Sequence, residues 1–191
     1  MGNLTDGTVH NQTTYKRYAV YFAPQPQSAL GLLGQRWLGL CAQSGVRNRP
    51  PNGFVAGPRR YGFHATLKAP LRLAAGVGED DFLGAAKSLA KLLQPVDLGI
   101  LKPRRLGGFL ALMQANGAHD EVANLAWSCV RSLDRLRAPL TPEDIARRPG
   151  LKGIEHDNLL QWGYPYVADQ FRFHMTLTSA LDDAGLSEAE A

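Results

Sequence analysis

The stretches YGFHATL (residues 61–67) and FRFHMTL (residues 171–177) repeat one pattern at two places in the 191-residue chain. Each begins with an aromatic residue and carries Phe, His, Thr and Leu at matching positions. A separation of about half the chain is far longer than a solenoid period and favours a duplicated structural unit. We therefore expect the two stretches to occupy equivalent places in the fold.

Both stretches are predicted to be β-strands, in which successive side chains point to opposite faces. The Phe, Ala or Met, and Leu side chains then form the core face, and the polar side chains form the other face. The polar set consists of His64, Thr66 and Lys68 in the first strand and Arg172, His174 and Thr176 in the second. Simple alternation does not require a histidine beside a threonine twice on matching faces, so this pairing indicates a functional site.

The remaining sequence predicts a single domain of the α+β or α/β class. Strands are predicted over residues 17–23, 61–68 (with an extension past Pro70), 96–100, 109–114 and 171–179, and helices over residues 28–42, 79–93, 119–136 and from 142. Loops are predicted between these elements, including residues 44–60 and the stretch that ends at Tyr166. Residues 1–15 are predicted to be a mobile tail, residues 16–181 a single domain and residues 182–191 an acidic C-terminal tail.

The composition excludes several classes of protein. Hydrophobic residues make up 45% and charged residues 20% of the chain, which excludes a disordered or fibrous protein. No apolar run approaches the roughly 18 residues that a membrane span requires, and the first residues do not resemble a secretory leader. Two cysteines in apolar stretches are typical of a reducing compartment. We therefore expect a cytoplasmic protein without membrane contact.

The charge is mildly basic, with a formal net charge of +4. The excess is concentrated in three predicted loops, around Arg59 and Arg60, around Arg104, and around Arg147. Such a potential favours anionic ligands such as phosphates. Solvated loop charges that maintain solubility are an equally weighted interpretation, so the charge alone selects no partner.

Two His-x-Thr units that face each other across a groove would suit displacement at phosphorus. One imidazole could remove a proton and the other donate one, and each such transfer typically contributes about 10²–10⁴-fold in rate. The threonine hydroxyls could bind the phosphoryl oxygens, and Lys68 and Arg172 could add positive charge. The two histidines could instead bind zinc, but no further ligand accompanies either at metal-binding spacing. We therefore expect neither a metal nor another cofactor.

Further candidates for substrate binding lie near the two strands. Tyr18 and Tyr21 are expected on opposite faces of the first strand, so at most one of them, here Tyr18, is assigned to the groove. Trp162, Tyr164 and Tyr166 could stack on a base or sugar, although anchoring of a loop on the core explains them equally well. Arg60 could bind a phosphate, and a solvated side chain is an equal alternative.

At the two histidine motifs the sequence resembles the two-histidine phosphoesterase superfamily, and the resemblance covers nearly the whole chain after the N-terminal tail. It is most similar to a small bacterial branch that is often found with phosphonate-degradation genes. The stretches that carry this closer resemblance are RYAVYFAP (17–24), WLG (37–39), RRYGFHATLKAPL (59–71), GFLAL (108–112), LRAPLTPEDIARR (136–148), WGYPYV (162–167) and FRFHMTLTSAL (171–181). Residues 151–161 depart from the pattern expected of the branch.

The resemblance implies an α+β fold with two pseudo-symmetric lobes of antiparallel sheet, flanked by helices, around a central cleft. It implies a cyclic phosphodiesterase, a metal-independent hydrolase that opens a cyclic phosphate on ribose or on an RNA end. His64, Thr66, His174 and Thr176 would be its catalytic residues. The expected partner is a phosphate-bearing small molecule or an RNA end, and a monomer is favoured. The alternatives are a non-catalytic RNA- or nucleotide-binding module that uses the same groove, and RNA end-joining.

Overall fold

The computed structural model describes residues 16–40, 53–116 and 120–190. Within these ranges the chain forms five strands and seven α-helices, which confirms the predicted α+β class. The strands are β1 (Tyr18–Phe22), β2 (Ala65–Leu71), β3 (Leu101–Leu106), β4 (Phe109–Gln114) and β5 (His174–Thr176). The helices are α1 (Ala29–Trp37), α2 (Ala56–Arg59), α3 (Glu79–Leu92), α4 (Asp120–Leu133), α5 (Pro142–Ala146), α6 (Ile154–Trp162) and α7 (Asp183–Glu190).

All five strands belong to one sheet, in the order β1-β2-β5-β4-β3, and every neighbouring pair is antiparallel. The last strand in the chain, β5, therefore lies at the centre of the sheet, between β2 and β4. The two histidine motifs consequently lie side by side on neighbouring strands of a single sheet. They do not face each other from separate sheets, as an open groove between two lobes would require.

The main core lies on one face of this sheet. Met175, Leu110 and Leu112 of the central strands contribute to it together with Phe63 and Leu186. Burial of such side chains removes apolar surface from water, which is the main favourable contribution to folding.

Helix α4 covers the part of the sheet that contains β2. Its buried residues recur at helical spacing along one side of the helix, as an amphipathic helix requires. Ala126 and Cys129 of this helix pack with Leu67 of β2. The helix therefore packs against β2 on the side that carries Leu67.

Two helices begin at residues whose side chains cap them. Ser28 Oγ accepts a hydrogen bond from the Gly31 backbone N–H at 3.1 Å and begins α1. Thr141 Oγ1 accepts from the Asp144 N–H, and the Asp144 carboxylate accepts from the Thr141 N–H, which forms a complete capping box at the start of α5. Such caps satisfy backbone donors that the first turn of a helix leaves without partners.

Strand β3 corrects the prediction for residues 96–106. The predicted strand over residues 96–100 does not form, and the basic stretch that includes Lys102, Arg104 and Arg105, predicted to be a loop, is the strand. β3 is an edge strand, and edge strands tolerate proline and charged side chains that prevent further pairing. Pro103 and the exposed cations fit this position.

Three helices replace predicted irregular segments, and the first of them, α2, lies within the predicted loop of residues 44–60. Helix α6 lies where a loop to Tyr166 was predicted, and α7 lies within the predicted acidic tail of residues 182–191. Leu186 of α7 is buried in the main core, and Glu190 forms an ion pair with Arg105 at 2.8 Å. Outside the described residues lie the predicted tail of residues 1–15, the first part of the predicted loop over residues 44–60, Cys41 and His119. In the part of the chain that is described, no helix is long and apolar enough to cross a membrane.

Candidate functional site

Strands β2 and β5 pair with Ala65 opposite Met175. Continued by one residue in each direction, this antiparallel register places His174 across from Thr66, and Thr176 across from His64, which immediately precedes β2. Directly opposed residues in an antiparallel pair have Cβ atoms about 4.5–5.5 Å apart. We call these four side chains the motif patch: they are all half-buried, and they lie on the face opposite the buried Ala65 and Met175.

A β-bulge follows each motif. After the second motif, the backbone N–H groups of Leu177 and Thr178 both donate to the Leu110 carbonyl, at 2.9 and 3.2 Å. Such doubled bonding marks a bulge and interrupts side-chain alternation. In β2 the register also shifts after Thr66, which faces Tyr21 of β1, whereas Lys68 faces Val20. Residues 67 and 68 are both buried, as are residues 177 and 178.

The two imidazoles are oriented by equivalent hydrogen bonds. His64 Nδ1 lies 3.0 Å from the carbonyl oxygen of Gly62, and His174 Nδ1 lies 2.7 Å from that of Arg172. Because a carbonyl oxygen only accepts hydrogen bonds, each Nδ1 must carry the proton. The Nε2 atom of each ring is thereby left to accept a proton when the ring is neutral and to donate one when it is charged.

An aromatic ring lies beside each histidine. The ring centroid of Tyr21 is 4.2 Å from that of His64, and Phe109 is 6.1 Å from His174. Burial, with a smaller contribution from Tyr61, raises the pKa of Tyr21, so its hydroxyl keeps its proton near neutral pH. These rings restrict the orientation of the imidazoles and add apolar surface next to the polar patch.

A cavity of about 420 Å³ opens at one side of the motif patch. Thr66 and His174 line it, whereas His64 and Thr176 are adjacent to these residues in the register. Its other lining residues include Arg172, Phe109, Tyr164 and Tyr166. We call this space the motif cavity. It combines polar groups at one end with aromatic walls, as small-molecule sites typically do.

Lys68 is not in the motif patch, which corrects its predicted position. Its side chain is buried, and Nζ donates to the Val130 carbonyl at 3.1 Å and to Asp134 Oδ1 at 3.3 Å. Burial lowers the pKa of Lys68, and the neighbouring Asp134 opposes this shift. The bulge after Thr66 is the physical reason, because it turns Lys68 to the side of the sheet that α4 covers.

Tyr18 also lies away from the motif patch. Its hydroxyl donates to Glu79 Oε2 at 3.1 Å, and its ring packs against Phe82 at 5.5 Å between centroids. Both partners belong to α3, so the structure places Tyr18 outside the motif cavity, and its predicted role in substrate binding has no support from these contacts. Tyr21, at the other end of the same strand, is the tyrosine that reaches a motif histidine.

The other predicted binding residues are divided between two places. Arg172 and Tyr166 line the motif cavity, and Arg172 donates to the carbonyls of Asp169 and Phe171. Trp162 packs edge-on against Trp127 at 4.9 Å and lines a second pocket.

Tyr164 lines both cavities. Arg60 is exposed at the end of α2. In the described part of the chain, no group of three or more His, Cys, Asp or Glu side chains could hold a metal ion.

A family model described as "Protein of unknown function (DUF1045)" matches residues 66–191, about two thirds of the sequence. The chain belongs to the DUF1045 family. The matched region contains Thr66, His174 and Thr176 of the motif patch and begins two residues after His64. This match shows that the chain belongs to the DUF1045 family, and it does not show that the chain belongs to the two-histidine superfamily that the motifs resemble.

The DUF1045 chain is also similar to two curated proteins, both named ribose 1,5-bisphosphate phosphokinase PhnN. It is 42% identical over 177 residues to the protein of Janthinobacterium sp. (strain Marseille), which covers 86% of this chain and 39% of that protein. It is 40% identical over 180 residues to the protein of Laribacter hongkongensis (strain HLHK9), and this match covers 89% of this chain and 42% of that protein. The chain thus spans about two fifths of the length of these curated relatives. No solved structure matches it significantly.

These names contradict the predicted activity. Both relatives are named as a phosphokinase, whereas the motifs predicted a cyclic phosphodiesterase, which is a hydrolase. The prediction that the chain hydrolyses a cyclic phosphate is therefore corrected, because it disagrees with the phosphokinase activity for which both relatives are named.

Two rings that lie beside the motif histidines, those of Tyr21 and Phe109, are not among the binding residues predicted from the sequence. The sequence predicts Tyr21 on the face away from the groove, and it predicts Phe109 only as the first residue of a strand. Their contacts with His64 and His174 depend on the order of the strands in the sheet. The repeated aromatic character around both motifs was a signal, but it did not identify these two rings.

Proposed function

We propose that the motif patch binds the phosphate group of a phosphorylated ribose. The observation that carries this proposal is the pairing of the two His-x-Thr units on neighbouring strands. It gathers two imidazoles and two hydroxyls into one patch, and all four groups can donate hydrogen bonds to phosphoryl oxygens when the imidazoles are protonated. Arg172 at the cavity wall adds a positive charge.

The names of the relatives and the walls of the motif cavity support ribose as the part of the ligand next to the phosphate. Ribose 1,5-bisphosphate is the compound in both names. Phe109, Tyr164 and Tyr166 line the cavity, and aromatic rings commonly pack against the apolar faces of sugars. We assign phosphonate metabolism as the context, which the PhnN names and the resemblance of the motifs both support.

Sequence also favours the sugar phosphate over a nucleotide as the ligand of this site. P-loop kinases hold nucleotide phosphates with the motif G-x-x-x-x-G-K-S/T. The 191 residues contain no Gly-Lys pair. We therefore assign the ribose phosphate, and not a nucleotide, to this site. The two relatives extend well beyond the region that matches this chain.

We further propose that the DUF1045 chain is related in fold to the two-histidine superfamily, with two pseudo-symmetric halves. Three repeated features support this relation: the Nδ1-to-carbonyl hydrogen bonds, the adjacent aromatic rings and the bulge after each motif. A pseudo-twofold axis between Ala65 and Met175 would exchange the two halves. We propose a relation in fold alone and infer no shared reaction from it.

Calorimetric titration of the full chain with ribose 5-phosphate, ribose 1,5-bisphosphate and unphosphorylated ribose tests the ligand. We expect both phosphorylated sugars to bind and ribose itself not to bind measurably. His64→Ala and His174→Ala should each weaken binding by roughly tenfold or more, because each removes a charge-assisted hydrogen bond worth about 1.5–3 kcal/mol.

His156→Ala is the matched control, because His156 is a partly exposed histidine on α6 outside the motif patch. The affinity of the His156→Ala variant for both ribose phosphates should equal that of the unmodified chain. Equal affinity for ribose and its phosphates would overturn the proposal. Unchanged binding in the folded His64→Ala/His174→Ala double variant would overturn it as well.

A further inference from the structure

A second pocket, of about 370 Å³, lies next to the motif cavity. The two spaces share Tyr164, Ala69, Val130 and Val167 in their walls. The second pocket is distinguished by its charge, since six cationic side chains line it: Arg17, Lys68, Arg72, Arg137, Arg147 and Arg148. Asp144 is the only acidic residue among the described residues of its wall. We call this space the arginine pocket.

Three of the arginines share Asp144. Its Oδ2 lies 2.6 Å from Arg72, and its Oδ1 lies 3.5 Å from Arg147 and 3.9 Å from Arg17. The pKa of Asp144 is lowered, first by its hydrogen bond with the Thr141 backbone and also by the nearby arginines, so the carboxylate is charged near neutral pH. One negative charge among three guanidinium groups leaves a surplus of two positive charges.

The other cations add to this surplus. Asp134 lies within ion-pair distance of both Lys68, at 3.3 Å, and Arg137, at 2.8 Å, which leaves one further positive charge. Arg148 lies 4.8 Å from the ring centroid of Tyr164, and a guanidinium stacked on a ring keeps its N–H edge available for an anion. The cations of the arginine pocket, counted together with Asp144 and Asp134, therefore carry a surplus of four positive charges.

We propose that the arginine pocket binds a diphosphate group. Several guanidinium groups around a pocket of this size match the many acceptor oxygens of a diphosphate, because arginine binds phosphate through paired N–H donors. The surplus charge also exceeds what a single phosphate would neutralise. This site is separate from the motif patch and does not depend on the function proposed for that patch.

Titration of the full chain with inorganic pyrophosphate and with orthophosphate at low salt tests this site. We expect pyrophosphate to bind more tightly, and its affinity to fall as salt is added. Arg147→Gln and Arg148→Gln should each weaken pyrophosphate binding by roughly tenfold. Both side chains are exposed, so these variants should fold as the unmodified chain does, which circular dichroism verifies.

Arg36→Gln on α1 is the matched control, because it removes an exposed arginine outside the pocket and should leave pyrophosphate affinity unchanged. The titrations are repeated in the His64→Ala/His174→Ala variant, in which phosphate binding at the motif patch is weakened, and this variant should still bind pyrophosphate more tightly than orthophosphate. Equal affinity for orthophosphate and pyrophosphate would overturn the diphosphate assignment. Unchanged binding in the Arg147→Gln/Arg148→Gln variant would overturn the site itself.

Discussion

Asp134→Asn should lower the free energy of unfolding by about 3 kcal/mol or more, because loss of one partner leaves a buried charge without compensation. Asp134 binds Lys68, whose side chain is only 3% exposed, and accepts two hydrogen bonds from Arg137 at 2.8 and 3.1 Å. Urea denaturation at neutral pH measures the change. Asp157→Asn, at a carboxylate that is 73% exposed, should change stability by less than about 0.5 kcal/mol.

The loss in Asp134→Asn should depend on pH in a defined direction. Burial opposes ionisation of Asp134, but the hydrogen bond from Arg137 and the charges of Lys68 and Arg137 outweigh it and lower the pKa. A lowered carboxyl pKa contributes stability that is present above the ordinary value of about 3.9 and is lost as the pH falls through the folded-state pKa. The difference between the two proteins should therefore shrink in acid.

Replacement of the cation as well should recover stability. Lys68→Met/Asp134→Asn removes both charges, so it should be more stable than Asp134→Asn alone. A loss below about 1 kcal/mol in Asp134→Asn, which is the size of an exposed ion pair, would contradict the account of Lys68 as a buried and structural cation.

Gly34→Ala should destabilise the protein by about 2 kcal/mol, although alanine is the better helix former by about 1 kcal/mol. A Cβ atom at Gly34 would clash with Cδ1 of Phe63. Phe63 is buried in the main core immediately before His64, so its ring cannot move without displacing other core side chains. Thermal and urea denaturation measure the change.

Gly84→Ala on α3 is the matched control, because a Cβ atom there would meet nothing within 4 Å. This variant should be more stable than the unmodified chain by up to about 1 kcal/mol, from helix propensity alone. The two substitutions are chemically identical, so opposite signs isolate the effect of packing. Stabilisation by both would contradict the close approach of α1 to Phe63.

The repeated strands allowed the arrangement of the four motif side chains to be predicted. Strand alternation correctly separated His64 and Thr66 from the buried Ala65, because it depends only on local backbone geometry. It did not place Lys68, since the bulge that interrupts alternation depends on pairing with a neighbouring strand. The register of β1 against β2, which pairs Tyr21 with Thr66 and Tyr18 with Leu71, determines that Tyr21 and not Tyr18 contacts a motif histidine.

The errors in the fold have similar causes. β3 is a strand although it contains Pro103 and three cations, because its edge position leaves these side chains in solvent. Helix α6 has weakly separated polar and apolar residues, so its sequence gave little helical signal, although Gly163 in the left-handed conformation ends it as a helix-terminating glycine does. The reaction could not be predicted, because polar side chains around a phosphate suit more than one chemistry.

Long-range ¹H–¹⁵N NMR of the histidine rings, recorded while the full chain is titrated with ribose 5-phosphate, tests the central claim most directly. If His64 and His174 bind one phosphate, their Nε2 signals should both shift and follow a single saturation curve, while the ring of His156 stays unchanged. Movement of only one of the two motif rings, or two curves with different midpoints, would contradict a shared phosphate.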